Sequence, residues 1–557
     1  MIECPNCRFL VGSDSAACRF CGGATATAAF ATSNTRAGVA PSPSQGAPAP
    51  AFQPPPPGFP PPPPGFPPPP PGFASPPGFA LPGYAPPPMH EIPGKARSRA
   101  KTIVPIAIGV IVALVGASLA VFALSSNDDS YPAAWDPQVQ PLVDFVERER
   151  GLVFEHPVYI DYQEDQAFRD STAPEPLTDE EKTKNKQFSA FFRAVGLVSG
   201  EFDLAQTSNS LDGDAVLAMY NFRTKRITVR GASLDDATKP TLVHELTHAL
   251  QDQHFDLQRL HVVLDDDQLD GLDAIVEGDA ERIKYRYEDE FGAEDTKEAD
   301  QTADAASEGS VYDNYPPALV AMYTASYSLG QLLVEILEKY GDPDAIDDAI
   351  MDPPHSSEFM LSPFEYLDGH DPVAVPAPKL AGGEVSFDED TFGPLALFLM
   401  LEQRLGAKAA LAATDAWGGD HYVAFERDQK VCVRLDVRGD TPAAQEGILA
   451  ALGAWRDTMP GGSVTVTKGD YARVEACDPG VTAALPPSPD AAYDPVLLPW
   501  VRSEIVLEVA EAKRPEAFAR CVSQAFIDLA PMSFLAADSP EPAQTDTLVA
   551  AASAKCQ

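Results

Sequence analysis

Residues 103–124, IVPIAIGVIVALVGASLAVFAL, run for 22 positions without a charge. A run of that length spans a bilayer as a helix. It divides the 557-residue chain into two folding problems, one on each side of a membrane. Pro105 stands near its start, where helices tolerate proline. The run lies too far into the chain to be a cleaved signal peptide. Lys95, Arg97, Arg99 and Lys101 precede it, and Asp128 and Asp129 follow it. The positive-inside rule then places the N-terminus in the cytoplasm and residues 130–557 outside it.

The cysteines divide at the same point. Cys4, Cys7, Cys18 and Cys21 precede the run, in CPNC and CRFC. Two Cys-x-x-Cys pairs this close present four thiolates to one ion, which predicts a closed, structural zinc site over residues 1–23. It resembles the small zinc ribbons at the N-termini of many bacterial membrane proteins. With four protein ligands it leaves no open position for catalysis, and reads as a docking module for cytoplasmic partners. Cys432, Cys477, Cys521 and Cys556 follow the run, on the oxidising side, where two disulfides with three possible connectivities are expected.

Residues 24–100 read as a Pro/Gly-rich disordered linker, with PPPPGF recurring in 54–73. Such runs form extended polyproline segments interrupted by glycine. The segment is a spacer, or a ligand for proline-recognising proteins. Charge is unevenly spread. Before Thr102 there are seven Lys or Arg and three Asp or Glu, leaving the rest near −46 of the overall −42. That acidity argues against nucleic acid and against an anionic membrane surface as partners.

Residues 135–557 read as a mixed helix-and-strand domain. The pattern predicts a helix over 186–199 and a hairpin of strands 215–221 and 226–231 around the turn FRTK. A helix follows in 239-KPTLVHELTHALQDQ-253, with Pro240 in its first turn and an apolar stripe at Leu242, Val243, Leu246, Ala249 and Leu250. His244 and His248 lie one helical turn apart, so both imidazoles reach one metal ion. Glu245, beside the first of them, is placed to act as general base.

The third ligand is less direct. His254 falls at the metzincin spacing, but that pattern needs glycine where this chain has Gln251. If the helix continues, His254 lies about 120° around the axis from His248 and points off the metal. The other candidate is 275-IVEGDAER-282, where Glu277 follows His248 with room for a loop between. Gly278 would allow close backbone approach. Asp279 or Glu281 could accept a hydrogen bond from a ligand histidine, and Asp279 is also an alternative ligand. The stripe Leu269, Leu272, Val276 and Ile283 places Glu277 on the flank of its helix, with Asp279 nearer the buried face. A solvated acidic helix is the alternative to a metal-binding one.

Taken together, TKRITVRG, TLVHELTHALQDQHFDL and VEGDA resemble a largely uncharacterised bacterial family of predicted zinc metallopeptidases. The likeness extends over residues 140–525 and includes 353-PPHSSEFMLSPFEYL-367 and 416-AWGGDHYV-423. In the first of these segments, LSPF replaces the family's usual histidine. The resemblance implies an α+β zincin-like domain of the gluzincin type. Its catalytic zinc would be held by His244, His248 and Glu277, with Glu245 as base and a peptide or protein as substrate. The alternative is a non-catalytic extracytoplasmic binding domain coupled to the ribbon. His261, His355, His370 and His421 read as isolated polar loop residues. Tyr327 reads as helix packing, with steadying of an oxyanion as the other possibility.

Overall fold

The computed structural model describes residues 2–3, 10–11, 131–172, 176–260, 266–292, 314–415, 417–537 and 540–556. The expected ribbon cysteines, the proline-rich linker and the apolar run 103–124 lie outside the described residues. Among the described residues, no helix is long and apolar enough to cross a membrane. The chain divides into two units, Met1–Lys95 and Ala96–Gln557. In the first, strands β1 (Ile2–Glu3) and β2 (Leu10–Val11) pair antiparallel. The second is a mixed α+β structure of long helices and two small sheets.

The smaller sheet has the order β3 (Tyr159–Gln163), β5 (Arg226–Arg230), β4 (Ala218–Asn221). β4 and β5 are the expected hairpin, paired antiparallel, while β3 runs parallel to β5. Asn221 shapes the turn: its side-chain oxygen accepts from the amides of Arg223 and Thr224, both at 3.0 Å. Such self-bonding is why asparagine favours turns. Helix α1 (Gln140–Arg150) and the histidine-bearing helix pack with this sheet. Their shared core includes Val143, Val146, Ile227, Val229, Leu242 and Leu246.

Helix α2 (Asp179–Ala194) begins earlier and ends sooner than the expected 186–199. Thr178 and Glu181 form a reciprocal capping box at its start, and the turn at its end passes through Gly196 at φ +76°. Helix α3 (Lys239–Phe255) is the expected histidine helix, with Pro240 in its first turn. Helices α4 (Asp266–Phe291) and α5 (Pro317–Tyr340) complete the helical core. The sequence points into α5 only at Tyr327; the helix runs over Pro317–Tyr340.

Two glycines set how closely α4 and α5 pack. A Cβ on Gly278 would meet the carbonyl oxygen of Gly330 at 2.2 Å. A Cβ on Gly330 would meet the carbonyl oxygen of Ala274 at 2.2 Å. The close backbone approach expected at Gly278 is therefore present. With α3 on one side and α5 on the other, residues 271–284 of α4 are buried around the whole circumference. The solvated-helix reading of α4 is overturned. The flank that seemed to disfavour Glu277 does not exist, because α4 has a neighbour on that side too.

The larger sheet is antiparallel throughout, in the order β6 (Val385–Asp390), β7 (Trp417–Arg427), β8 (Lys430–Gly439), β10 (Ala472–Cys477), β9 (Val464–Lys468). His421 lies in β7, so it is a strand residue and not the loop residue expected. Of the three possible connectivities, the structure forms Cys432–Cys477 and Cys521–Cys556. The first joins facing residues of β8 and β10, and the second ties the C-terminal helix Pro542–Lys555 to the helix Glu516–Leu529.

Candidate metal centre

α3 continues without a break through Gln251 and ends where Asp256 adopts a left-handed conformation, φ +52°. His254 therefore stays on the helix. It is exposed, and its Nε2 lies 2.9 Å from the carbonyl oxygen of Val153. The rotation argument holds: this histidine faces away from the other two.

His244, His248 and Glu277 converge. The two Nε2 atoms are 2.9 Å apart, and each lies 3.2 Å from Oε2 of Glu277. The three residues are 3%, 3% and 7% exposed. Ligands bonded to a tetrahedral zinc at about 2.0–2.1 Å stand about 3.3 Å from one another. The observed triangle is close to that edge, and its donors, two imidazole nitrogens and a carboxylate oxygen, suit such an ion. These residues could hold a metal ion.

The outer nitrogens of both imidazoles face polar groups: that of His248 is hydrogen-bonded, and that of His244 is in contact with a carboxylate. Gln251 donates through Nε2 to the carbonyl of Val276 at 3.1 Å and to Oδ2 of Asp279 at 3.0 Å. Its Oε1 is thereby turned to His248 Nδ1, 3.1 Å away, which donates to it. The lone pair of His248 is left on Nε2, facing His244 and Glu277. Nδ1 of His244 lies 3.0 Å from Oε1 of Glu281, a contact whose alignment falls short of a hydrogen bond. Glu281 is itself held by Lys284. Of the two expected supports, Glu281 touches His244 directly. Asp279 acts one residue further out, through Gln251, and does not join the ligand triangle.

Asp279 is fully buried and bracketed by two guanidinium groups. Arg150 donates to Oδ2 at 2.6 Å, and Arg282 donates to Oδ1 at 2.7 Å. Burial alone would raise its carboxyl, but Arg150 and Arg282 outweigh that and hold it at about 2. Burial likewise opposes charge on Glu277, and His248 and His244 reverse the effect, to about 2. For His244, burial favours the neutral ring, while Glu277 and Glu281 draw it up to about 10.

The chain matches no family model, no curated protein and no solved structure.

Two groups sit beside the triangle with an unsatisfied atom. Glu245 is 1% exposed; its Oε2 accepts the amide of Tyr220 at 2.6 Å, and its Oε1 has no hydrogen-bond partner. Burial raises its carboxyl above the usual range, against the pull of His244 and His248. Tyr327 was expected to serve helix packing. Its ring stacks beside that of His244, with centroids 6.3 Å apart, and its hydroxyl is buried without a partner. The ring is buried in the core, as a packing role requires, but a buried hydroxyl normally finds a partner, and packing leaves this one unaccounted for.

Sequence reasoning missed three contributors. At the sequence level Gln251 registers only as a residue that is not glycine. Its position three residues after His248 placed it on the same helix face, a signal that was available. Tyr220 pins β4 to α3 twice, by its amide on Glu245 and by its hydroxyl on Asp252 at 2.8 Å. Its place in the hairpin gave no hint of that. Arg150 comes from α1, far away in sequence, and no local pattern could have found it.

Proposed function

We propose that this chain is a membrane-anchored zinc metallopeptidase of the zincin type, with the metal on His244, His248 and Glu277. The single observation that carries this reading is Glu245 Oε1, buried and unpartnered, next to three converging metal donors. A structural metal site has no use for such a base. Zinc, when bound, supplies a Lewis acid that polarises the scissile carbonyl and acidifies a water molecule. The chain supplies the rest. Glu245 Oε1 takes a proton from the water that attacks the carbonyl carbon. It returns that proton to the amine nitrogen as the C–N bond breaks. The Tyr220 amide holds Glu245 Oε2 so that Oε1 is the free oxygen. The Tyr327 hydroxyl donates to the oxyanion that forms on the carbonyl oxygen.

An extended peptide would lie along β4, an outer strand of its sheet, and pair through main-chain groups. The apolar run 103–124 would anchor this domain outside the cytoplasm. The two disulfides suit an oxidising compartment there. The four N-terminal cysteines would hold a second, structural zinc that serves cytoplasmic partners. The motif likeness to predicted bacterial zinc metallopeptidases points the same way, and rests on HELTHALQDQ and VEGDA.

The test uses the full-length chain, purified in detergent and loaded with zinc, against a diverse peptide mixture. Wild type is expected to cleave, and Glu245→Gln to bind zinc equally while losing at least about a hundredfold in rate. If both retain zinc and both are inert, the domain is a binding module and the peptidase reading fails.

A further inference from the structure

A second carboxylate shares the condition of Glu245. Glu358 lies in the short helix Glu358–Leu361, 2% exposed, and its Oε2 has no hydrogen-bond partner. His370, in the loop beyond, brings Nδ1 to 3.7 Å from Glu358 Oε2 and 3.7 Å from Glu365 Oε2. Its other nitrogen, Nε2, lies 3.5 Å from Oδ1 of Asp440, which directly follows β8 and is open to solvent. These gaps are too long for good hydrogen bonds, and His370 Nδ1 is buried without one.

Burial raises the Glu358 carboxyl, and Glu365, Asp440, Asp267 and Asp415 raise it further, to about 9. Neither nearby guanidinium group pairs with Glu358, His370 or Asp440. Arg502 is bidentate on Asp415, and Arg520 bonds Asp368 and Glu516 and lies 3.7 Å from Oε1 of Glu365. The cluster therefore presents acceptors with no cation at their centre.

We propose that Glu358, His370 and Asp440 form a second divalent-metal site, for an ion of the zinc or manganese class. One imidazole nitrogen with two carboxylate oxygens is a donor set those ions accept. One atom from each residue can be chosen so that all lie within 4.8 Å of one another. Ligands about 2.1 Å from a common ion stand roughly 3.0–3.4 Å apart at the nearest positions, so the three side chains draw together from separations of up to 4.8 Å when an ion binds. A single ion takes one ring nitrogen, so Glu358 and Asp440, which lie beside opposite nitrogens of His370, turn toward the same one. Bound there, it would join the helix Glu358–Leu361, the loop carrying His370 and the end of β8. The site is independent of the peptidase reading: it would stand if His244 and His248 bound nothing.

The test measures bound metal on the full-length chain after equilibrium dialysis against Mn²⁺ or Zn²⁺. It is made in wild type and in the double variant His244→Ala, His248→Ala. In both backgrounds Glu358→Gln and Asp440→Asn are each expected to remove one equivalent. The rise in melting temperature on adding Mn²⁺ should shrink with them. Without metal, Glu358→Gln should melt no lower than its parent, since it replaces an acid whose charged form is disfavoured by burial with a neutral isostere. Asp440→Asn, at an open position, keeps the test valid if the buried change disturbs folding. Unchanged metal content in Asp440→Asn overturns the proposal, and leaves Glu358 as a buried, protonated acid.

Discussion

The His244 centre and the Glu358 cluster are built from the same residue types, histidine and acid, and are held in opposite ways. Around His244 the outer nitrogens are engaged: Gln251 takes one, Glu281 contacts the other, and Arg150, Arg282 and Lys284 brace the supporting carboxylates. Around Glu358 the distances are 3.5–3.7 Å and no residue fixes the orientation of the imidazole. A preformed site loses little order when an ion arrives, and so binds tightly; a loose one must be gathered by the ion. The difference predicts a tight centre and a weak one in the same domain.

The largest effect should come from His248→Ala. It is expected to abolish zinc that survives dialysis against a chelator, whereas His370→Ala should leave that zinc in place. Equal losses in the two variants would break the comparison. Next is Gly330→Ala, whose new Cβ would press on the Ala274 carbonyl at 2.2 Å. Destabilisation of at least about 1–3 kcal/mol is expected in urea unfolding. Glu277 rides on the same helix, so zinc affinity should fall with it.

The two buried carboxylates should respond to pH with opposite sign. Asp279 is held near 2, below its unfolded value, so its contribution of roughly 2 kcal/mol is present above that value and lost as pH falls from about 4 through about 2. Asp279→Asn should flatten the acid limb of the stability curve. Glu358 is raised to about 9, so in the metal-free chain stability falls as pH climbs from its unfolded value near 4.5 toward 9. Glu358→Gln should remove that fall. Denaturant midpoints across pH 2–9 check both. An effect of similar size, confined to metal affinity, is expected from Gln251→Leu. It frees the His248 ring and should weaken zinc about 10–100-fold without displacing the helix.

How much of this could be read from sequence follows the same division. Contacts along one helix were legible: the one-turn spacing of His244 and His248, and the outward turn of His254, follow from helical rotation alone. The hairpin was legible from its strands and turn. The capping box at Thr178 was written in the sequence, yet the helix was expected to begin at 186. The position of Glu277 was harder. Its own stripe of apolar residues suggested one buried face, and only the arrival of α5 at Gly330 made the other faces buried too. Long-range partners such as Arg150 leave no local periodic signal. His370 looked isolated because its carboxylates come from a short helix and a strand end that meet it only in three dimensions.

The central claim is that Glu277 completes the metal triangle. It is tested most directly by competing the zinc-loaded full-length chain against a chelator, wild type beside Glu277→Ala. The account predicts that the zinc lost in His248→Ala is also weakened at least about 100-fold in Glu277→Ala, more than in Gln251→Leu. Full zinc affinity in Glu277→Ala would contradict it.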